Sequence, residues 1–124
     1  MRVVRNAAAE GSFVSLPELS LVIDGPEGQL VVVGCSHPGI ETILRSTGAP
    51  RRPVDLVVGG LHLVTANDAQ IERVLGVLRT DMQVQRMAPA HCTGEPAFAA
   101  LLRAYGDQYL YAGAGSVIDL PVRP

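Results

Sequence analysis

The sequence contains no apolar stretch long enough to cross a membrane. Its longest apolar runs, such as residues 30–33, have the length of a strand, whereas a membrane-spanning helix needs about 20 apolar residues. The amino-terminal MRVVRNAAAEGSF also lacks the apolar core of a signal peptide. We therefore expect a protein without membrane contact and, by default, a cytoplasmic one.

Basic charge is scarce and scattered. The chain has 10 basic and 12 acidic residues, a formal net charge of −2 and a pI near 5.8. Arg51 and Arg52 form the only adjacent basic pair. Proteins that bind nucleic acid concentrate basic residues on one surface, so the sequence excludes nucleic acid as the expected partner.

Cysteine is also scarce, and its placement excludes a disulfide framework. The chain has two cysteines, Cys35 and Cys92, and each lies next to or two residues from a histidine. This pattern suits a reducing compartment, in which thiols near imidazoles have chemical roles. With 124 residues, no internal repeat and no linker, the chain fits a single domain.

What the chain does contain is an alternation of strand-like and helix-like segments, which predicts an α/β fold. GPEG between two β-branched runs predicts a hairpin. Asn67 and Gln70 have the spacing of a capping box ahead of apolar residues at helical spacing, which predicts a helix. The predicted strands are residues 20–24, 29–34, 54–60, 84–91, 108–113 and 116–120, and the predicted helices are residues 39–48, one that begins after Asn67, and 95–105.

The three histidines of the chain share one structural position. His37, His62 and His91 each lie just past a predicted strand. In open α/β sheets the carboxyl ends of parallel strands meet at the edge where ligands bind, and imidazole is a common metal ligand and proton carrier. The three histidines therefore predict a metal or catalytic site, and the alternative is that each merely bonds a backbone carbonyl at a strand end.

Two further features lie at the same edge. A cysteine beside a histidine can be a thiolate nucleophile, a soft metal ligand or a small buried residue, and of the two we take Cys35 as the candidate. Thr93 and Gly94 stand where the last predicted helix begins. Free N–H groups at a helix start can hold an anion, although an ordinary threonine cap is the alternative.

Four segments resemble the carboxyl-terminal half of the metallo-beta-lactamase fold superfamily. They are LVVVGCSHPGIETIL, VDLVVGGLHL, APAHCTG and GAGSVIDL, and they are most similar to the branch that contains the dihydropterin-linked ribofuranosylaminobenzene phosphate synthases. The resemblance runs from about Leu19 to Leu120. It implies half of an αββα sandwich, a mixed sheet with helices on one face, at residues 19–124, after an amino-terminal extension at residues 1–18.

The resemblance also implies a site. His91 matches the last histidine ligand of the superfamily, and Cys35 stands where a bridging aspartate is usual, with His37 two residues further on. We expect His91 and His37 to be metal ligands and Cys35 to be a possible third. His62 is implied as a catalytic or substrate contact. Thr93 and Gly94 are expected to contact the substrate because of their place at the helix start, independently of the resemblance. The implied cofactor is a divalent metal, zinc or alternatively manganese or iron, and the implied partner is a small anionic or phosphorylated metabolite.

One departure from the superfamily pattern qualifies this prediction. The main metal motif, His-x-His-x-Asp-His, cannot occur in a chain with three histidines placed as these are. Three interpretations follow: a fragment of a larger enzyme that needs a separate amino-terminal half, a half-fold that pairs with itself as a homodimer, or a binding module without catalysis. The expected function is therefore metal-dependent hydrolysis or, alternatively, partner binding.

Overall fold

Five strands and three α-helices account for most of residues 1–6 and 17–120, which are the residues that the computed structural model describes. Short helical turns follow α2, β5 and α3. The elements are β1 (Arg2–Asn6), β2 (Glu18–Asp24), β3 (Gln29–Val32), α1 (Ile40–Thr47), β4 (Val54–Gly60), α2 (Asp68–Gly76), β5 (Arg86–Ala90) and α3 (Glu95–Tyr105).

The strands form one mixed sheet in the order β1-β2-β3-β4-β5. β1, β2 and β3 pair antiparallel, whereas β3, β4 and β5 pair parallel. The carboxyl ends of β3, β4 and β5 therefore lie at one edge of the sheet, which we call the carboxyl edge. The predicted hairpin and the predicted mixed sheet are both confirmed.

The helices form where the sequence predicts them, for local reasons. At the start of α2, Asn67 Oδ1 accepts from Gln70 N at 2.9 Å, and Gln70 Oε1 accepts from Asn67 N at 2.8 Å. This reciprocal capping box satisfies two N–H groups that the helix leaves free. α1 ends at Gly48, whose φ of 101° suits a residue without a side chain.

All three helices pack on one face of the sheet. Val31, Val57 and Met87, one from each parallel strand, are fully buried there with residues of the helices. Leu30, Leu56 and Ala88 face the other side, where residues 110–118 cross the strands and pack against them through Leu110, Ala112 and Ile118. None of the described helices is long and apolar enough to span a membrane.

The two strands predicted at the carboxyl end of the described chain were wrong. Residues 108–113 and 116–120 form no strands beyond one bridge between Met87 and Tyr109 and a hydrogen bond from Leu110 N to Met87 O of 2.7 Å. After that point the chain leaves the sheet edge and crosses the sheet face. Conversely, β1 pairs with β2 within the region that the sequence analysis treated as an extension. The domain boundary between residues 18 and 19 stays a prediction.

Truncating a side chain in the helix-facing core should cost far more than truncating an exposed one. Leu44 of α1 is fully buried, whereas Leu102 of α3 is 53% exposed. Leu44→Ala should lower the free energy of unfolding by about 2–5 kcal/mol, because it removes apolar contacts and leaves a cavity. Urea unfolding measures this, and an equal effect of Leu102→Ala would contradict the assignment of the core.

Candidate metal centre

A glycine at the end of β4 leaves the space in which the candidate site forms. Gly60 is the last residue of β4, between the ends of β3 and β5, and its N–H donates to Gly34 O at 2.8 Å. A Cβ at Gly60 would lie 2.5 Å from Cys92 Sγ and 2.7 Å from His91 Cε1. The side chains of His91 and Cys92 therefore occupy the volume that a side chain at Gly60 would fill.

Three donor atoms meet above this glycine. Cys35 follows β3, and its Sγ lies 3.0 Å from Nε2 of His91, which follows β5. Cys92 Sγ donates to Cys35 O at 3.6 Å. The three donor atoms lie within 4.8 Å of one another. We call Cys35, His91 and Cys92 the Cys-His-Cys cluster.

The spacing and chemistry of the Cys-His-Cys cluster fit a single metal ion. Ligands about 2.0–2.3 Å from a tetrahedral ion lie about 3.3–3.8 Å from one another. The 3.0 Å between Cys35 Sγ and His91 Nε2 is slightly shorter than this range, and all three donor atoms lie within 4.8 Å of one another. Two thiols and one imidazole are a donor set that zinc uses, and three protein ligands leave a fourth position open. The residues present therefore fit a divalent metal.

Sequence reasoning found two of the three members of this cluster. It selected Cys35 and His91 but left Cys92 aside, because a free cysteine is commonly a small buried residue. The available signal was the direct adjacency of His91 and Cys92, which brings both side chains to the same short 3₁₀ turn, His91–Thr93.

The environment of Cys35 opposes an activated thiol. Burial raises the pKa of the Cys35 thiol, and the neighbouring Cys92 and Glu18 raise it further. A nucleophilic cysteine requires a lowered pKa, so the direction of this shift does not favour Cys35 as a thiol catalyst, although its Sγ contacts His91. The same thiol can still bind a metal, because metal binding displaces the thiol proton.

His37 lies outside the Cys-His-Cys cluster and has a partner of its own. Its backbone N–H donates to Glu18 Oε1 at 3.1 Å, and its Nδ1 contacts the same oxygen. An ionised carboxylate only accepts hydrogen bonds, so this contact assigns the ring proton to Nδ1 and leaves Nε2 as the free acceptor. The His37 ring meets the His62 ring edge to face, with centroids 4.5 Å apart. We call Glu18, His37 and His62 the histidine pair with its carboxylate.

The loops that carry these histidines have strained backbones. Ser36 and His62 have φ values of 62° and 51°, a region that residues with a side chain seldom adopt. Ser36 is buried, and its hydroxyl donates to Gly60 O at 2.7 Å. This bond ties the loop after β3 to the end of β4. Strain of this kind persists where surrounding contacts impose it, and it concentrates at functional sites.

Thr93 and Gly94 support the loop after β5 and lie below the edge. The Thr93 side chain is fully buried, and its hydroxyl donates to Ala90 O at 2.7 Å and accepts from Leu61 N at 3.3 Å. Gly94 precedes α3, whose first residues are Glu95 and Pro96. A carboxylate and a residue without an N–H both oppose anion binding there. The predicted contact of Thr93 and Gly94 with an anion stays a prediction.

No protein-family model matches the chain. A 7,8-dihydropterin-6-methyl-4-(beta-D-ribofuranosyl)-aminobenzene-5'-phosphate synthase of Methanocaldococcus jannaschii is 29% identical over 103 residues, which are 82% of this chain and 35% of the synthase. An uncharacterized protein of the same organism is 29% identical over 91 residues, 73% of this chain and 34% of that protein. A solved structure, Tm1679, described as a metal-dependent hydrolase of the beta-lactamase superfamily, matches with a TM-score of 0.76 and 32% identity over 84% of this chain and 41% of its own.

The chain is similar in fold and sequence to part of a metal-dependent hydrolase of the beta-lactamase superfamily. This confirms the resemblance and the α/β fold class that the sequence motifs predicted. The chain spans about a third of the length of the curated relatives that it matches. The three histidines lie too far apart in the sequence to form the motif His-x-His-x-Asp-His, so the group that could hold a metal among the described residues is the Cys-His-Cys cluster at the carboxyl edge.

Filling the gap at Gly60 should disrupt the Cys-His-Cys cluster. Gly60→Ala places a Cβ within contact of Cys92 and His91, and such overpacking costs about 1–3 kcal/mol. Gly76→Ala is the matched control, because a Cβ there meets nothing within 4 Å and alanine stabilises a helix by about 1 kcal/mol. Urea unfolding should show opposite signs for the two variants, and a stabilised Gly60→Ala variant would contradict the packing described here.

The raised pKa of Cys35 should delay its alkylation as the pH is increased. Since burial keeps the thiol protonated, the metal-free chain should react with iodoacetamide slowly at pH 7, and the rate should rise only above the pH at which a cysteine in an unstructured peptide reacts. Peptide mapping by mass spectrometry gives the rate at Cys35 separately from that at Cys92. Rapid alkylation of Cys35 at pH 7 would show that the thiol is activated.

Proposed function

We propose that this chain provides Cys35, His91 and Cys92 as ligands to one zinc ion in the active site of a metal-dependent hydrolase. The observation that carries the proposal is the 3.0 Å approach of Cys35 Sγ and His91 Nε2, because these atoms come from the ends of two strands that β4 separates. A third donor, Cys92 Sγ, lies in the same group. The likeness to a metal-dependent hydrolase supports this assignment.

Zinc suits this donor set better than manganese. Manganese prefers carboxylate and water oxygens, whereas thiolate and imidazole favour zinc. A Cys₂His set with one open position also occurs at catalytic zinc sites. A bound divalent ion would supply Lewis-acid chemistry for hydrolysis.

The histidine pair with its carboxylate would transfer protons and contact the substrate beside the metal. Glu18 holds the Nδ1 of His37, which fixes the tautomer and presents Nε2 as a proton acceptor. His62 is exposed and contacts the His37 ring. We therefore assign His37 to proton transfer and His62 to proton transfer or substrate contact, with Glu18 as a positioning residue that sequence reasoning missed.

The proposed substrate is a small metabolite with an anionic or phosphorylated group. The name of the synthase relative includes a 5'-phosphate, and a divalent ion provides the positive charge that such a group requires. Thr93 is buried, so the anionic group would be bound at the metal. This placement accounts for substrate recognition without a basic patch in the chain.

We also propose that a second apolar layer, from a second copy or a separate amino-terminal half, packs on the sheet face opposite the helices. Val3 on β1 and Leu19 on β2 are 63% and 65% exposed, and apolar strand positions of this kind typically contact a partner. Sedimentation of the purified chain tests self-pairing. If the chain is a monomer at micromolar concentration, self-pairing is excluded and a separate amino-terminal half is the proposed second layer.

Removing His91 should weaken metal binding sharply, whereas removing His62 should leave it intact. His91→Ala deletes one of three donors and should lower zinc affinity by more than about 100-fold. Loss of a residue that only hydrogen-bonds a metal ligand lowers affinity by about 10–100-fold, and loss of the ligand itself should cost more. His62→Ala retains all three donors. Competition with a zinc indicator measures the affinities, and cobalt substitution should show thiolate-to-cobalt charge-transfer absorption in both wild type and His62→Ala.

Turnover of a phosphate ester or lactone by the zinc-loaded chain separates hydrolysis from binding alone. The proposal predicts that any turnover falls in both His91→Ala and His62→Ala, although only the first variant loses the metal. Stoichiometric zinc without turnover would favour a metal-binding module. Absence of zinc binding in the wild type would overturn the proposal.

A further inference from the structure

The two cysteines of the Cys-His-Cys cluster lie close enough to react with each other. Their sulfur atoms belong to a group of donor atoms that all lie within 4.8 Å of one another, and the Cys92 thiol donates to Cys35 O at 3.6 Å. After burial, the charge of Cys92 and a hydrogen bond with its side chain are the next causes that raise the pKa of the Cys35 thiol. The two thiols are therefore direct neighbours, although they are 57 positions apart in the sequence.

A disulfide bond between these cysteines needs only a small rearrangement. Bonded sulfurs lie about 2.0 Å apart, so the two Sγ atoms have to approach each other further. Cys35 lies in the loop after β3 and Cys92 in the short turn after β5, outside the paired strands. Their side chains can therefore rotate about the Cα–Cβ bonds without breaking a strand pairing. Gly60 leaves the space in which Cys92 Sγ lies, since a Cβ there would come within 2.5 Å of it.

A small oxidant can reach both thiols. Cys35 and Cys92 are free cysteines and each is partly exposed. In a reducing compartment, disulfide bonds of this kind are usually transient and catalytic or redox-sensing, and exposed disulfide bonds are the labile ones. Because the chain has no other cysteine, an internal disulfide bond can join only these two residues.

We propose that Cys35 and Cys92 form a reversible disulfide bond that releases the metal from the Cys-His-Cys cluster. The oxidant is a small disulfide such as oxidised glutathione. One cysteine sulfur attacks it and releases a first glutathione thiol, and the second cysteine sulfur then attacks the mixed disulfide and releases a second glutathione thiol. The protein loses two electrons and two protons, and the two glutathione thiols carry both away.

The disulfide bond and the metal exclude each other. The thiolate form of cysteine is the metal ligand, so oxidation removes two of the three donors and leaves His91 alone. The release of metal rests on the proposed function, whereas the disulfide bond itself requires no metal. Bound zinc should in turn protect the two sulfurs, because both are then held as ligands.

Equilibration of the metal-free chain with mixtures of reduced and oxidised glutathione tests the disulfide bond by itself. The raised pKa of the Cys35 thiol slows exchange at neutral pH, so the samples are left until they no longer change. Mass spectrometry separates the internal disulfide, which has lost two hydrogen atoms, from a glutathione adduct. The folded chain should form the internal disulfide about tenfold or more readily than the chain unfolded in urea, because folding holds the thiols together.

Single-cysteine variants identify the reacting pair. Cys35→Ser and Cys92→Ser each retain one thiol, so they should accept one glutathione and form no internal disulfide. His91→Ala is the matched control, because it retains both thiols and should still form the disulfide bond although its zinc binding is weakened. Equal oxidation of the folded and urea-unfolded chains would overturn the proposal, as would disulfide bonds that join only separate chains.

Oxidation of the zinc-loaded chain tests the release of metal. A zinc indicator should record one zinc ion released for each internal disulfide formed, and dithiothreitol should restore binding. The oxidised chain should bind zinc more than about 100-fold more weakly than the reduced chain, since it has lost two ligands. Zinc that stays bound after the disulfide has formed would overturn the proposal.

The two experiments separate this inference from the proposed function. If the reduced chain binds zinc but forms no internal disulfide, the metal site stands and the redox inference is wrong. If the reduced chain binds no zinc, the proposed function is wrong, and with it the release of metal, whatever the glutathione equilibrium shows for the disulfide bond.

Discussion

The missing side chain at Gly60 is the constraint on which the candidate site depends. β4 lies between β3 and β5, so any side chain at its end would stand between the loops that carry Cys35 and His91. With glycine there, two loops from non-adjacent strands come within 3.0 Å of each other. The bond from Ser36 to Gly60 O then fixes the first loop onto the strand. One absent methyl group and one hydroxyl thus determine the spacing of the donor atoms.

This arrangement imposes a cost that the fold offsets elsewhere. Positive φ values at Ser36 and His62 each cost about 1–3 kcal/mol. The parallel strands below them are held by a continuous core in which Val31, Val57 and Met87 are fully buried. Because this core is rigid, the strained loops above it cannot relax unless the strands separate. The polar groups that the loops carry therefore keep a fixed geometry.

Most of the fold could be predicted from local sequence signals. The capping box of Asn67 and Gln70, the β-branched run of β4 and the glycine after α1 each act within a few residues, so their effects are legible in sequence. β1 could not be predicted, because RVVRN is short and its pairing with β2 is set across a long separation. The path of the segment after α3 could not be predicted either. Its apolar residues resemble those of a strand, but they are buried by packing on a sheet face.

The site was predictable in outline for the same reason. Histidines after strands indicate an edge, but which of them meet depends on side-chain geometry between strands. His37 contacts Glu18, the first residue of β2, because β2 pairs antiparallel with β3, the strand that precedes His37. No spacing in the sequence reveals this pairing. Cys92 joins the metal donors because Gly60 leaves room for it. The fold comparison agrees with the motifs on the architecture, whereas these two contacts are evident only in the three-dimensional structure.

The path of residues 110–118 has a consequence for any second layer. Leu110, Ala112 and Ile118 already lie against Leu30, Leu56 and Ala88, so another sheet can reach that part of the face only by displacing them. Docking of a partner there and packing of residues 110–118 are then competing states of one equilibrium. A partner that contacts only β1 and β2 avoids this competition. The two modes of assembly therefore differ in whether residues 110–118 must first leave the sheet face.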